Sequence, residues 1–289
     1  MPETLGHYRI LEPLEPDALG PSFRARDTRV GRTVRLTTLD PRLSADRRAR
    51  ILDAARAASR VSHPGLASLY EVGEDQGVPY LVFEYVDGRS VRTTVAGQPI
   101  HPRRAVDLGV QIADALAEAH AHGVTHGRLS ADVVMISARG HAKVLRMGLA
   151  RLMEVSDAPA SSADQDARAD IAALGATLAE MLNGAPLPPG GETPIPSHIP
   201  PDLARVVGRA LASHSHDPAR AAEGYSDVAV LAAELRMVAA QFADRTDPVT
   251  PARARGTTPG PRPKSGAWLG IVVVILVVAL LVWLALRGG

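Results

Sequence analysis

The sequence contains no cysteine, which excludes disulfides, thiolate nucleophiles and cysteine-ligated metal sites and fits a reducing compartment. Lysine is nearly absent too, because Lys143 and Lys264 are the only two lysines among 32 basic residues. Basic and acidic residues almost cancel to a formal net charge of +1, so no nucleic-acid partner is predicted. The N-terminus lacks a basic stretch followed by an apolar one, and no signal peptide is predicted.

Apolar residues make up 46% of the 289 residues, enough to build a sizeable core. Alternating and β-branched runs in the first third predict strands over residues 8–14, 33–39, 66–72 and 80–86, which would pair as an antiparallel sheet. Between the second and third of these runs, Ser44 is placed to cap a helix that continues to about Val61. The pattern therefore predicts a sheet with one helix.

Helical periodicity dominates the second part of the chain. It predicts a helix ending before Gly123, a helix ending at Gly184 and a last helix capped by Ser226. Two short strands are expected over residues 133–137 and 142–147. The globular part is expected to end near Ala243.

The C-terminal region predicts a tether followed by a membrane span. Residues 244–266 contain five prolines and no apolar periodicity, as in an extended linker. Residues 267–286 contain no charge and are long enough to cross a bilayer as a helix, with Trp268 and Trp283 at the two ends as interfacial anchors. Because the basic residues lie before the span, we expect a single-pass protein of the inner membrane whose N-terminal domain faces the cytoplasm.

Several segments of the chain are typical of one family and occur in the order that this family has. They are His63-Pro64, LVFEYVDG at 81–88, GVTHGRLSADVVMI at 123–136, KVLRMGLAR at 143–151, and Asp170 ahead of EMLNGAPLP. On these segments the chain resembles the eukaryotic-like Ser/Thr protein kinases of bacteria over residues 6–243. The resemblance implies an α+β, two-lobed protein-kinase-like fold, with an N-lobe over about 6–86, a C-lobe over about 87–243, and a hinge at Glu84, Tyr85 and Val86.

The resemblance also identifies the N-lobe positions that hold ATP in this family, and most carry other residue types here. Glu15 and Asp17 stand at the first two glycines of the phosphate loop, and only Gly20 keeps its glycine. Carboxylates there would repel a triphosphate. Thr37 stands at the ATP-binding lysine, and Ala54 stands at the glutamate that pairs with it.

The C-lobe positions are changed as well. Arg128 stands at the proton-accepting aspartate, Ser130 at the following lysine, Val133 at the magnesium-binding asparagine and Arg146 at the metal-binding aspartate. Arginine neither accepts a proton at neutral pH nor coordinates a cation. We therefore predict no catalytic residue, no cofactor and no metal site.

Opposite charges in this cleft predict ion pairs that close it without nucleotide. We expect Glu15 or Asp17 to pair with Arg35, Arg128 or Arg146. Arg35 stands where the family has an alanine beside the adenine, so a cation would occupy an apolar slot.

Three histidines near the catalytic loop, His120, His122 and His126, permit a metal site as one interpretation. In the family such histidines end a helix and brace the catalytic loop, and we favour that structural role.

The sequence leaves three classes of function to compare. The first is an inactive, membrane-anchored pseudokinase that binds protein partners, such as an active kinase or a membrane complex, as a scaffold or regulator of signalling. The second is a divergent sensor of nucleotides or anions that works without magnesium. The third is a purely structural membrane protein, which is weaker because a packed two-lobed domain exceeds what anchoring requires.

Overall fold

Six antiparallel strands form the sheet of the N-terminal part, in the order β1-β2-β3-β4-β6-β5. The strands are β1 Thr4–Leu5, β2 Tyr8–Asp17, β3 Gly20–Asp27, β4 Thr33–Thr38, β5 Leu69–Asp75 and β6 Val78–Glu84. The computed structural model describes residues 3–17, 19–153, 162–188, 196, 199–215 and 217–244.

Strand β6 is buried on both faces, and its alternating side chains divide the core of this part into two layers. Leu81 and Phe83 pack into a cluster with Ile51, while Tyr80 and Val82 pack into a second cluster on the other face. Helix α1, Ala45–Ala58, covers the first layer and begins at Ser44, whose hydroxyl accepts a hydrogen bond from the Arg47 amide. The sheet and α1 therefore share one apolar layer.

The second part of the chain is built mainly from helices, which are α2 Val91–Val95, α3 Pro102–Ala121, α4 Ala163–Asn183, α5 Pro201–Ala212, α6 Pro218–Glu223 and α7 Val228–Asp244. Helix α3 lies at the centre, packed against α4 and α7, and its buried face continues into the large apolar core of this part. Three short strands, β7 Gly88–Ser90, β8 Val134–Ser137 and β9 Ala142–Val144, form a small antiparallel sheet, and a 3-10 turn follows at Ala150–Met153.

Most of the predicted strands and helices are confirmed with ends shifted by a few residues, and three of the shifted boundaries have a reason in the structure. The strand expected over residues 66–72 begins at Leu69, because Leu66 instead forms an isolated parallel bridge with Val144. The strand expected over 142–147 ends at Val144, two residues before Arg146, whose left-handed backbone (φ 60°) cannot continue a strand. The last helix is capped by Asp227, whose carboxylate accepts from the Ala229 amide, and not by Ser226.

Helices α2, α5 and α6 were not expected from the sequence. Within the described ranges, no helix has the length and apolar character that a membrane crossing requires. The predicted span 267–286, its anchors Trp268 and Trp283, and residues 245–266 of the predicted linker lie outside the described residues.

Candidate functional site

A buried carboxylate fixes the loop that corresponds to the catalytic loop of kinases. Asp170, on α4, accepts hydrogen bonds from the backbone amides of His126 (2.7 Å) and Gly127 (2.8 Å). Its carboxylate also contacts Nε2 of His120, at the end of α3, at 2.9 Å. Asp170 is 1% exposed and His126 is fully buried. His120 and His126 therefore brace this loop, which is the structural role expected of them.

The ring of His126 joins two segments that each carry an arginine. Its Nδ1 accepts from the Arg128 amide at 3.1 Å, so the ring proton lies on Nε2, which donates to the Leu145 carbonyl oxygen at 3.0 Å. Burial lowers the pKa of His126, and the charges of Arg146 and Arg128 lower it further against the opposing effect of Asp170. The imidazole is therefore neutral, as its two hydrogen bonds require.

Arg128 and Arg146 line a cavity of about 800 Å³ that also includes other residues predicted to lie in the cleft. Six of the residues singled out in the sequence meet here, namely Glu15, Arg35, Arg128, Ser130, Val133 and Arg146. Arg35 and Arg89 add two more guanidinium groups, and among the described side chains the carboxylates that line the cavity are those of Glu15 and Asp132. The charged lining of this cavity, called the arginine cleft below, is thus mainly positive.

Arg35 closes the N-terminal side of the arginine cleft. Its guanidinium donates to the Ser22 hydroxyl at 3.0 Å and to the backbone carbonyl oxygen of Glu15 at 3.2 Å. These bonds hold a cation between β2 and β3, where the resemblance implies the adenine site. This contact uses the backbone oxygen of Glu15, so the expected ion pair of its carboxylate stays a prediction, and the side chain of Asp17 lies outside the described residues.

Thr37, which the resemblance places at the ATP-binding lysine, is fully buried and is not among the residues that line the arginine cleft. Its hydroxyl shares a 2.9 Å hydrogen bond with the Ser22 hydroxyl of the neighbouring strand. Ala54, at the partner position on α1, packs against the apolar cluster around Ile51. Thr37 therefore contributes a hydrogen bond within the sheet and Ala54 an apolar contact, and neither side chain can form an ion pair.

Gly20 is retained for a reason that the structure makes visible. Its backbone has φ +147°, and a Cβ atom on it would lie 2.2 Å from the Thr38 carbonyl oxygen and 2.9 Å from the Asp40 amide. Only glycine fits at such a close approach of two backbone segments. Its role here is packing between β3 and the end of β4.

The hinge residues face a different cavity. Glu84, Tyr85 and Val86 line a space of about 880 Å³, and the Glu84 carboxylate there binds Lys143 Nζ at 2.8 Å. Lys143 Nζ also donates to the Leu66 carbonyl oxygen at 3.3 Å. The one lysine among the described residues is thus held outside the arginine cleft.

Two features of the arginine cleft had no signal in the sequence. Arg89 reaches it because β7 pairs with β8, which no local pattern around Arg89 indicates. Asp132 is bound by Arg92 at 3.1 Å, and Arg92 in turn contacts the buried Glu180 at 3.0 Å. Burial raises the pKa of Glu180, and Arg92 opposes that rise, so one arginine serves two carboxylates.

Similarity to known proteins agrees with this arrangement. Residues 22–183 match the model of the family described as protein tyrosine and serine/threonine kinase. Serine/threonine-protein kinase PknD of Mycobacterium tuberculosis is 32% identical over 233 residues, covering 74% of this chain and 33% of the relative. A probable serine/threonine-protein kinase of Streptomyces coelicolor, SCO3848, is 30% identical over 215 residues, covering 66% of this chain and 32% of the relative.

The fold is shared with a solved kinase domain. The crystal structure of the PknI kinase domain of Mycobacterium tuberculosis superposes with a TM-score of 0.63 at 23% identity, covering 82% of this chain and 97% of that domain. The expected protein-kinase-like fold, with a sheet-rich N-lobe and a helical C-lobe, is therefore confirmed. The chain spans about a third of the length of the two curated relatives above.

Proposed function

The chain belongs to the bacterial eukaryotic-like members of the protein tyrosine and serine/threonine kinase family. We propose that, within this family, it is a catalytically inactive, membrane-anchored pseudokinase. In this role it binds protein partners as a scaffold or regulator of signalling. Its relatives are named as kinases, so the proposal rests on the residues of this chain.

One observation carries the proposal: Arg128 and Arg146, which the resemblance assigns to the positions of the proton acceptor and of the metal ligand, both line the cleft. Phosphoryl transfer needs a base for the hydroxyl proton and oxygen ligands for magnesium, and a guanidinium supplies neither. The position of the ATP-binding lysine adds support, since Thr37 is buried against Ser22. Lys143, the one lysine among the described residues, is bound to Glu84 instead.

The test is a transfer assay on the full-length chain in detergent micelles, with labelled ATP, magnesium or manganese, and a Ser/Thr-rich peptide. We expect no label in the peptide or in the chain, and no thermal shift with magnesium-ATP, while an active relative in the same buffer gives both. Label transfer that disappears on heat denaturation would contradict the proposal. A magnesium-dependent thermal shift would contradict the assigned roles of Thr37, Arg128 and Arg146.

The membrane part of the proposal rests on the sequence of residues 267–286. These twenty residues carry no charge and follow a stretch that is rich in arginine. We expect the full-length chain to sediment with inner membranes and to resist extraction by alkaline carbonate. A variant with Val274→Arg and Val278→Arg should move to the soluble fraction. Protease added outside spheroplasts should leave the N-terminal domain intact, and its cleavage would contradict the cytoplasmic orientation.

A second candidate function is a sensor of anions that needs no magnesium, and the specific observation in its favour is the arginine cleft. Among the described residues, four arginines and two carboxylates line this cavity. Calorimetric titration of anions in the presence of EDTA separates the candidates, because a pure scaffold gives no heat and a sensor gives saturable heat.

A further inference from the structure

We propose that the ion pair between Glu84 and Lys143, called the hinge ion pair below, fixes the angle between the N-lobe and the C-lobe. The two lobes then move as one body instead of opening and closing about the hinge. The inference goes beyond the proposed function, because it concerns the motion of the lobes and applies whether or not the chain transfers phosphate.

The hinge ion pair joins two separate sheets. Glu84 is the last residue of β6 in the six-stranded sheet of the N-lobe, and Lys143 is the central residue of β9 in the small sheet of the C-lobe. Both carboxylate oxygens of Glu84 lie 2.8 Å from Lys143 Nζ, although the two residues are 59 positions apart. The contact therefore crosses directly from one lobe to the other.

Further hydrogen bonds hold both side chains in place. Glu84 Oε2 also accepts from the Ser68 amide at 3.3 Å, and the Glu84 amide donates to the Ser68 carbonyl oxygen at 2.8 Å. Lys143 Nζ also donates to the Leu66 carbonyl oxygen at 3.3 Å, so three acceptors surround the three N–H donors of the ammonium group. Neither side chain can turn away from the other without losing a second hydrogen bond.

The hinge ion pair is shielded from water more than a surface ion pair is. The side chains of Glu84 and Lys143 are 23% and 19% exposed, compared with 75% and 62% for Asp53 and Arg56 on the surface of α1. Shielding strengthens the attraction between two charges, and separating them would leave each charge partly buried without its partner. A motion of the lobes that breaks the pair is therefore disfavoured.

The chain segment before β5 adds backbone contacts to the same strand of the C-lobe. The Val144 amide donates to the Gly65 carbonyl oxygen at 2.8 Å, and the Val144 carbonyl oxygen accepts from the Ala67 amide at 2.9 Å. Leu66, which binds Lys143, lies between these two residues. Hinge closure requires that a few hinge residues absorb the whole change in backbone angles. Further connections behind the hinge oppose such a rotation.

Side-chain packing does not fix the lobe angle behind the hinge. A cavity of about 880 Å³ lies there, lined by Tyr85 of the hinge and by Gln111 and Asp114 of α3 together with the hinge ion pair. A space of this size is not filled by interdigitating side chains, so it does not itself resist a tilt of the lobes. The hinge ion pair connects the two lobes at the wall of this cavity and supplies the resistance.

The absence of cysteine allows a spin-label experiment on the full-length chain in detergent micelles. One label pair, Val30→Cys with Met237→Cys, spans the lobes, because Val30 lies in the turn between β3 and β4 and Met237 lies in α7, both exposed. A second pair, Val30→Cys with Val78→Cys, lies within the N-lobe. Double electron–electron resonance measures the distance distribution of each pair. We expect one narrow interlobe distribution for the parent.

Variants that neutralise the hinge ion pair provide the test. Lys143→Met and Glu84→Gln should each broaden the interlobe distribution and leave the distribution within the N-lobe unchanged. The double variant leaves no charge unpaired, so it should fold even where a single variant does not, and it should broaden the interlobe distribution as well. The control Arg56→Gln removes the surface pair with Asp53 and should keep the parent distribution. Far-UV circular dichroism and the thermal midpoint report whether each variant is folded.

Four outcomes would overturn the proposal. They are a broad interlobe distribution in the parent, a folded double variant as narrow as the parent, equal broadening in the control, and equal broadening of the pair within the N-lobe. Label transfer from ATP tests the proposed function separately. An active chain with fixed lobes would refute that function alone, and an inactive chain with mobile lobes would refute this inference alone.

Discussion

Replacing Asp170 with alanine tests how far one buried carboxylate maintains the site. Asp170→Ala leaves three donors without their acceptor: the amides of His126 and Gly127 and Nε2 of His120. An orphaned buried donor costs about 1–3 kcal/mol, and partial hydration of the space left by the carboxylate reduces the sum. We expect the free energy of unfolding to fall by about 3–5 kcal/mol, a large share of the 5–15 kcal/mol usual for a folded domain.

Urea unfolding followed by far-UV circular dichroism is the appropriate assay, because Trp268 and Trp283 are the only tryptophans and both stand in the predicted span. The urea midpoint should fall while the slope stays constant. Asp170→Asn keeps one acceptor oxygen and should lose about half as much stability. Asp53→Ala removes a 75% exposed carboxylate and should change stability by less than about 0.5 kcal/mol. If the alanine variant at Asp170 stayed within about 1 kcal/mol of that control, the assigned role of the carboxylate would be wrong.

Three further predictions concern single positions. Because the pKa of His126 is lowered in the folded state, the unfolded chain binds this proton at a higher pH than the folded chain does. The free energy of unfolding should therefore fall as the pH drops below about 6.5, by up to about 1.4 kcal/mol per pH unit for this one site. His126→Gln should remove that share of the pH slope. Thr37→Lys should cost at least about 3 kcal/mol by burying an unpaired ammonium, and adding Ala54→Glu should recover part of the loss. Gly20→Ala should cost about 3 kcal/mol through its clash with the Thr38 carbonyl oxygen.

Each of these three predictions has its own control. For His126, the slope between pH 7 and 8 should be the same in parent and variant, since the neutral ring predominates there in both states. For the lysine, strictly additive losses in the double variant would show that the two positions do not meet. For Gly20, the matched change is Gly208→Ala in α5, where a Cβ meets no atom within 4 Å and helix propensity should stabilise the chain by about 0.5–1 kcal/mol.

Periodicity and family-like segments predicted the sheet, the long helices and four of the six charged residues that line the arginine cleft in the described part of the chain. These signals are local, because Ser44 caps α1 and Gly184 ends α4 within one turn of the residues that define each helix. Helix α5 was missed because it begins with a proline at its N-cap and carries no polar capping side chain, so the usual start signal is absent.

The contacts that decide the chemistry are not local, and this limits what sequence patterns reveal. Arg35 was expected beside the cleft, but its bonds to Ser22 and Glu15 depend on the pairing of β2, β3 and β4. The hinge carboxylate Glu84 reaches Lys143, 59 positions away, and so faces away from the arginine cleft. The residue type at a position that matches the family predicts which step of the reaction is impaired. The direction in which its side chain points depends on tertiary packing, which local sequence patterns do not reveal.

The three hydrogen bonds of Asp170 also set an order of assembly. They join positions 43, 44 and 50 residues apart, and closing a loop of that length costs about 3 kcal/mol in chain entropy before any bond is made. The bonds therefore form only once α3 and α4 have docked. Amide exchange at His126 and Gly127 should accordingly require an opening that separates this loop from α4. The two arginines would then come into register as one of the last events of folding.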